Sequence, residues 1–268
     1  MRIALLLTAT ISLGCIRAPI YPGSSIPSER WTQAAGRPGW AIEHVEVAPG
    51  VTVVGLERAP KAPDAHWILF FGGNGSSIDS LQRIVEKVAA DDDVGLAVFA
   101  YRGFDGSDGK PSERALVRDA EKIRAHLTEN HGVEPARLDV MGYSLGTGVA
   151  ARLDAALAKA KTPAHSLVLV APYLSIRRVA SESIPCGGFL LADRWHTDRI
   201  VDQLTGPILI VHGSDDHVVG VHHGRDLARL LGDRATFVQI PHRGHDDVWR
   251  DPETIAAIRK FLLLSPTR

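Results

Sequence analysis

The stretch "VMGYSLGTGVA", residues 140–150, places Ser144 among Gly142, Gly146 and Gly148. Glycine inside regular structure costs about 0.5–1 kcal/mol relative to alanine, so this grouping needs a geometric reason. The preceding residues read as a short buried strand, and those from Thr147 onward have the spacing of a helix. The pattern therefore predicts a tight strand-to-helix turn with Ser144 at its apex, the arrangement called a nucleophile elbow. The alternative is a serine that caps a helix next to glycines needed only for packing.

Strand and helix signals alternate on both sides of this turn. Two short runs within residues 41–57 flank Pro49 and Gly50 and predict an antiparallel hairpin. Six aliphatic runs follow, at residues 66–71, 95–101, 137–141, 166–172, 207–213 and 235–241. Because helical segments separate many of them, we predict an α/β fold. Its central sheet is mostly parallel, with helices on both faces and the N-terminal hairpin at its edge.

Composition limits the classes of partner. The chain has 268 residues, of which 45% are hydrophobic, and this content is compatible with one α/β domain over residues 41–268. Lys and Arg number 30 against 31 Asp and Glu, which gives a net charge of −1. No overall field favours nucleic acid, so a nucleic-acid partner is not predicted. The oligomeric state is left open.

The N-terminus resembles an export signal. Residues 1–14 combine one positive charge with a short apolar run, as in a signal peptide, and Gly14 precedes Cys15 as in bacterial lipoproteins. Ser12 stands where that pattern usually has an aliphatic residue, and an ordinary first strand is the alternative. We expect export to the cell envelope, lipidation of Cys15 and membrane attachment, with residues 15–40 as a Pro-, Gly- and Ser-rich tether. Cys186 would then have no disulfide partner.

Polar residues at the ends of two later strands supply partners for Ser144. A serine hydroxyl needs a base within hydrogen-bond reach, and an acid must orient that base. Asp216 and His245 follow the strand runs at 207–213 and 235–241, in the chain order Ser, Asp, His. Asp215 and His242 are the alternatives beside them. We predict Ser144 as nucleophile, His245 as base and Asp216 as acid.

Two loops are candidates for the oxyanion hole. One backbone N–H would come from Leu145, the residue after the nucleophile, and the other from Asn74 in "FFGGNGSS". No cofactor and no metal is predicted for this chemistry. A weak alternative is a metal site built from the aspartates at 215–216 and the nearby histidines, which are His212, His217, His222 and His223.

These motifs resemble the α/β-hydrolase superfamily from about residue 41 to the C-terminus. "AYRGFDGSDGKPSE" is similar to a segment of a branch without a large cap domain. That branch includes acyl-protein thioesterases, lysophospholipase-like enzymes and serine aminopeptidase-like proteins. Two departures stand out: Gly72 replaces a usual histidine and is expected to loosen the mouth of the site, and Asp105 replaces a usual glycine and is expected to face solvent.

The motifs and the resemblance together imply a serine hydrolase that cleaves an ester, thioester or similar acyl bond through an acyl-enzyme. The expected substrate is a small or lipid-like acyl compound, bound between walls from residues 173–195 and Trp249. A peptidase or amidase of the same fold, or a non-catalytic binding protein of the envelope, are the alternatives.

Overall fold

One eight-stranded sheet organises the chain in a computed structural model, which describes residues 20–90, 93–183, 188 and 191–264. The predicted signal peptide, Cys15 and Cys186 lie outside these residues. The strands are arranged in the order β1-β2-β4-β3-β5-β6-β7-β8. Their bounds are β1 Trp40–Ala48, β2 Val51–Arg58, β3 Trp67–Phe71, β4 Gly95–Phe99, β5 Leu138–Tyr143, β6 Ser166–Val170, β7 Ile208–Gly213 and β8 Ala235–Ile240.

The direction of the strands agrees with the sequence patterns. β1 pairs antiparallel with β2, and β2 pairs antiparallel with β4. All pairs from β4 through β3, β5, β6 and β7 to β8 are parallel. Strands β3 to β7 are buried along their whole length, which explains why they read as continuous aliphatic runs. The predicted α/β fold with an antiparallel N-terminal hairpin is confirmed.

Helices surround this sheet. They are α1 Ser28–Ala35, α2 Ile78–Ala89, α3 Glu113–His131, α4 Leu145–Lys159, α5 Ile176–Ser183, α6 Val221–Leu231 and α7 Pro252–Leu264. α3 contacts α4, whereas α2 contacts α7. Between β6 and β7, the described residues contain only the short helix α5 and one 3-10 turn, so they hold no large cap domain. No helix in the described ranges is long and apolar enough to span a membrane.

The segment before β1 differs from the expected tether over residues 15–40. From residue 20 it packs on the domain: Ile20, Tyr21 and Ile26 are buried, and it contains α1. Arg30 on α1 forms a salt bridge with Asp79 on α2. The tether assignment is therefore wrong for residues 20–40. The Pro- and Gly-rich composition indicated a tether, although the segment also contains apolar side chains that are buried against the domain.

Candidate active site

Ser144 occupies a strained turn between β5 and α4. Its φ is +50° and its ψ is −118°, a backbone conformation that residues other than glycine rarely adopt. The backbone N–H of Ser144 donates to the carbonyl of Val170 at 3.0 Å, which ties the turn to β6. The side chain makes no capping hydrogen bond to α4. The structure thus has the geometry of the elbow rather than that of a capping serine.

The neighbouring glycines allow this turn because they let the backbone of β5, α4 and the end of β3 pass close together. A Cβ at Gly142 would lie 2.4 Å from the carbonyl oxygen of Gly146. One at Gly146 would lie 2.1 Å from the carbonyl oxygen of Phe71. Real Cβ atoms do not approach backbone that closely, so only glycine fits at either position. The contact with Phe71 also brings the end of β3 against the start of α4.

His245 lies within hydrogen-bond reach of the serine. Its Nε2 is 2.8 Å from Ser144 Oγ, and it comes from the loop after β8. The ring packs on Tyr143, with ring centroids 5.2 Å apart. The Tyr143 hydroxyl donates to the His245 carbonyl at 3.1 Å and to Asp246 Oδ1 at 2.9 Å. The residue before the nucleophile therefore also holds the histidine loop.

Asp216, in the loop after β7, orients the other side of the imidazole. Its Oδ2 is 2.7 Å from His245 Nδ1, and its Oδ1 accepts from the backbone N–H groups of Val218 at 2.9 Å and Val219 at 2.8 Å. Burial alone would raise its pKa. Hydrogen bonds from His212, His245 and the Val219 N–H outweigh burial and hold the Asp216 pKa well below its usual range.

The adjacent candidates lie elsewhere. Asp215 accepts the hydroxyl of Ser214 at 2.5 Å rather than bonding to His245. The His242 side chain is 93% exposed and lies 3.9 Å from Asp215. Of the paired alternatives in the sequence, the structure thus joins Ser144, His245 and Asp216 in one hydrogen-bonded chain.

His212 has a contact that sequence reasoning missed. It is fully buried, and its Nε2 donates to the Val219 carbonyl at 2.8 Å. The same nitrogen lies 3.3 Å from Asp216 Oδ2. Its position four residues before the acid, at the end of a buried strand, was the available signal. His212 thus contacts Oδ2 of the acid, the same oxygen that His245 contacts.

The alternative metal site near these aspartates does not form among the described residues. His212 is bonded within the acid loop, whereas His222 and His223 contact Glu182 at 3.2 Å and 3.0 Å. In the part of the chain that the structure describes, neither group that could hold a metal contains His212, His217, Asp215 or Asp216.

The two predicted oxyanion loops meet beside Ser144. Leu145 is the first residue of α4, where backbone N–H groups have no partner within the helix. Asn74 is exposed, in the loop between β3 and α2. The neighbouring Gly73 N–H donates to Ser76 Oγ at 3.0 Å, which shapes this loop. The start of α4 and the loop are adjacent, since a Cβ on Gly146 would also meet the Gly72 carbonyl.

Both departures from the family pattern have structural roles that differ from the expectation. Asp105 is 2% exposed, and its Oδ2 accepts from the Ile78 N–H at 2.7 Å. It therefore holds the start of α2 and does not face solvent. Gly72 is buried, and a Cβ there would meet Leu81 at 2.7 Å, so its lack of a side chain makes room for a core leucine. This position does not loosen the mouth of the site.

The predicted substrate walls also need correction. Tyr173 and Trp195 are 1% and 0% exposed, and Trp195 Nε1 donates to the Tyr21 hydroxyl at 2.9 Å. Trp249 is 7% exposed and packs edge-on against Tyr143. These three aromatic residues belong to the core. In the acid loop, Val218 follows Asp216 by two residues, and its apolar side chain is 57% exposed.

Comparison with known proteins decides the family. Residues 85–245, more than half of the chain, match the family model described as "Serine hydrolase (FSH1)". The chain belongs to this serine hydrolase family. The match spans the elbow, the acid loop and His245, and it supports hydrolase activity for this chain. The resemblance to α/β-hydrolases is thereby confirmed.

Relatives of this serine hydrolase include lipases and further α/β-hydrolases. The lysophosphatidylserine lipase ABHD12 of Danio rerio is 30% identical over 246 residues, covering 78% of this chain and 64% of its own length. The chain thus spans less than two thirds of that relative. A putative α/β-hydrolase of Acanthamoeba polyphaga mimivirus, L404, is 30% identical over 198 residues, with 73% and 72% covered.

Solved structures show the same fold at low identity. An α/β-hydrolase from Vibrio vulnificus superposes with a TM-score of 0.71 at 20% identity, covering 84% of this chain and 83% of that one. An esterase from Pyrococcus furiosus superposes with a TM-score of 0.72 at 15% identity, covering 91% and 97%.

Proposed function

We propose that this serine hydrolase cleaves carboxylic esters of lipid-like acyl compounds through an acyl-enzyme on Ser144. The observation that carries the proposal is the hydrogen-bonded chain from Ser144 Oγ through His245 to Asp216, with separations of 2.8 Å and 2.7 Å. An activated serine held in this way is the arrangement that acyl transfer requires.

The mechanism follows from the placement of the three side chains. His245 Nε2 takes the proton of Ser144 as its Oγ attacks the ester carbonyl, and Asp216 stabilises the imidazolium. N–H groups of Leu145 and Asn74 hold the oxyanion, each worth about 2.7–4 kcal/mol if well placed. His245 then protonates the leaving alcohol. Water, deprotonated by the same histidine, attacks the acyl-enzyme and releases the carboxylic acid and free Ser144.

Two observations support a lipid-like ester as substrate. The curated relative from Danio rerio is described as a lysophosphatidylserine lipase. Val218 exposes an apolar side chain two residues after Asp216, where it can contact an acyl chain. A lipid anchor at Cys15, which we also propose, would hold the site near a membrane that supplies such substrates. Replacing Cys15 with Ser should then release the protein from the membrane fraction.

A matched substrate panel tests the proposal. We would compare a lysophospholipid, a short p-nitrophenyl ester, an acyl thioester and an aminoacyl anilide as substrates of the full chain. We expect the highest kcat/KM on the lysophospholipid, with kcat lowered about a thousandfold or more in Ser144→Ala. Ser181→Ala is the control, since Ser181 is exposed on α5.

Other results would contradict the proposal. A clear preference for the anilide would favour a peptidase or amidase. Substrate binding without turnover in wild type, unchanged in Ser144→Ala, would favour a binding protein. A preference for the thioester would keep the acyl-enzyme but overturn the ester assignment.

A further inference from the structure

A second cluster of ligand-type side chains lies at the sheet end opposite the catalytic loops. His66 directly precedes β3, Asp139 is the second residue of β5, and His165 directly precedes β6. These three strands are neighbours in the sheet, and Ile68 and Ser166 are the register partners of Asp139. We call these three residues the His-Asp-His cluster.

The donor atoms of the cluster converge. His165 Nδ1 is 2.8 Å from Asp139 Oδ1, and His66 Nδ1 is 3.3 Å from Asp139 Oδ2. One ligand atom from each of the three residues lies within 4.8 Å of the others. The two imidazoles meet edge to face, with centroids 4.3 Å apart. Side chains at the starts of three neighbouring strands thus bring two nitrogens and a carboxylate together.

The Asp139 carboxylate is buried, with only 4% of its side chain exposed. The Ser166 hydroxyl donates to its Oδ1 at 2.5 Å, and both imidazoles lie within hydrogen-bond distance of its two oxygens. A buried carboxylate needs a positive charge nearby as well as hydrogen bonds. A divalent cation between the imidazoles and the carboxylate would supply that charge.

We propose that the His-Asp-His cluster binds one Zn²⁺ through His66 Nδ1, His165 Nδ1 and the Asp139 carboxylate. Zinc bonds of about 2.0–2.1 Å place adjacent tetrahedral ligand atoms about 3.3 Å apart. The separations of 2.8 Å and 3.3 Å between the carboxylate oxygens and the imidazole Nδ1 atoms are close to that spacing. Zinc binding requires each ring to carry its proton on Nε2, so that the Nδ1 lone pair faces the ion.

The surroundings fit a bound ion with one open position. The His66 side chain is 27% exposed and gives solvent access, whereas that of His165 is 10% exposed. Three protein ligands leave the fourth zinc position to water. The Ser166 hydroxyl holds the carboxylate in place, as outer partners of metal ligands commonly do.

A second group in the described ranges, Glu182 with His222 and His223, is less suitable. Arg178 already donates to Glu182 at 3.0 Å, and its charge would repel a cation. The backbone N–H of Leu174 points at His223 Nδ1 from 3.4 Å, which favours a proton on Nε2, the atom that faces Glu182. In the His-Asp-His cluster, the Asp139 carboxylate contacts imidazoles and a hydroxyl instead.

A zinc ion here would join the starts of three neighbouring strands, away from Ser144. An ion that binds only the folded state raises stability with its concentration. We therefore expect Zn²⁺ to raise Tm while the rate of ester hydrolysis at 25 °C stays unchanged. This expectation does not depend on the substrate proposed above.

The test is metal binding by the full chain purified without a polyhistidine tag. We would titrate the chelator-treated protein with Zn²⁺ alone by calorimetry, and with Co²⁺, whose visible bands report tetrahedral coordination. We expect one site per chain, a tetrahedral Co²⁺ spectrum and a higher Tm. Affinity should fall at least tenfold in His66→Gln and in His165→Gln. His222→Gln is the matched control and should bind as wild type does.

Three results would overturn the proposal. One is the absence of saturable 1:1 binding by folded wild-type protein. The second is binding that neither His66→Gln nor His165→Gln weakens. The third is loss of binding in His222→Gln, which would assign the metal to the Glu182 group. His66 is partly exposed, so we expect His66→Gln to fold even if His165→Gln does not.

Discussion

At the scale of single residues, His212 is the least obvious contributor to the site. Its Nε2 lies between the Val219 carbonyl and the Asp216 carboxylate, at 2.8 Å and 3.3 Å. A hydrogen bond to a charged group contributes about 1.5–3 kcal/mol. His212 is thus a positioning residue, because it acts on the acid and not on substrate.

Replacing His212 with Leu, which removes the N–H donor, should therefore lower kcat about tenfold with little change in KM. The loss of a donor to Asp216 should also alter the acidic limb of the pH–rate profile, which a purely structural role would not do. Full pH profiles of both variants provide the measurement. His242→Leu is the control, because the His242 side chain is 93% exposed. An unchanged profile in folded His212→Leu would assign His212 to packing alone.

Residue types in motifs were enough to predict which side chains converge at the site. Ser144, Asp216 and His245 each end a recognisable strand pattern, and chain order distinguishes their roles. Asp105 was not predictable in this way. Its burial depends on where Ser24 and Ile78 come to lie, since its N–H donates to the Ser24 carbonyl and its carboxylate accepts from Ile78. Loop aspartates usually face water, so the local pattern indicated the wrong environment.

At the scale of elements, the start of α4 is fixed by its contact with the end of β3. Gly146→Ala would place a Cβ 2.1 Å from the Phe71 carbonyl, where backbone has to move. We expect a loss of about 3 kcal/mol in the free energy of unfolding, together with a lower kcat because Leu145 shifts. Urea unfolding measures the first effect. Gly75→Ala, which meets nothing within 4 Å, should be neutral, and equal effects of both would contradict the packing argument.

Asp154, on α4, makes the free energy of unfolding depend on pH. Burial raises its pKa from 3.8 to about 7 in the folded protein. Between about pH 4 and pH 7 the unfolded chain loses this proton and the folded chain keeps it, so wild-type stability falls as pH rises.

Asp154→Asn should remove this part of the pH dependence. The free energy of unfolding of the variant, relative to that of wild type, should rise by about 3 kcal/mol from pH 4 to pH 7. Above that range the difference should stay nearly constant. Denaturant unfolding at several pH values measures the difference. Asp64→Asn, at an exposed site, serves as the control. A constant difference between Asp154→Asn and wild type across the range would contradict the raised pKa.

At the scale of the whole molecule, the N-terminal segment is part of the domain. Ile20, Tyr21 and Ile26 are buried, and Gln82 on α2 donates to the Ala34 carbonyl at 2.8 Å. The strands and the mostly parallel sheet with its antiparallel N-terminal hairpin were predictable because each strand carries its own hydrophobic pattern. The packing of residues 20–36 was not, since isolated apolar side chains among prolines and glycines carry no periodic signal.

A chain that begins at residue 39 should therefore be less stable than one that begins at residue 20. Each fully buried large apolar side chain contributes about 1.5–3 kcal/mol, so the removal of three should lower Tm by roughly 10 °C or more. Thermal unfolding of the two chains provides the comparison. Equal Tm values would restore the interpretation of this segment as a tether.

The central claim is that Ser144 is an activated nucleophile. Its most direct test is reaction of the folded protein with a fluorophosphonate probe, followed by mass mapping of the labelled peptide. The hydrogen bond from Ser144 to His245 predicts one adduct per chain, on Ser144, that is lost in Ser144→Ala and strongly slowed in His245→Ala. Absence of labelling in folded wild-type protein, or a label on another residue, would contradict it.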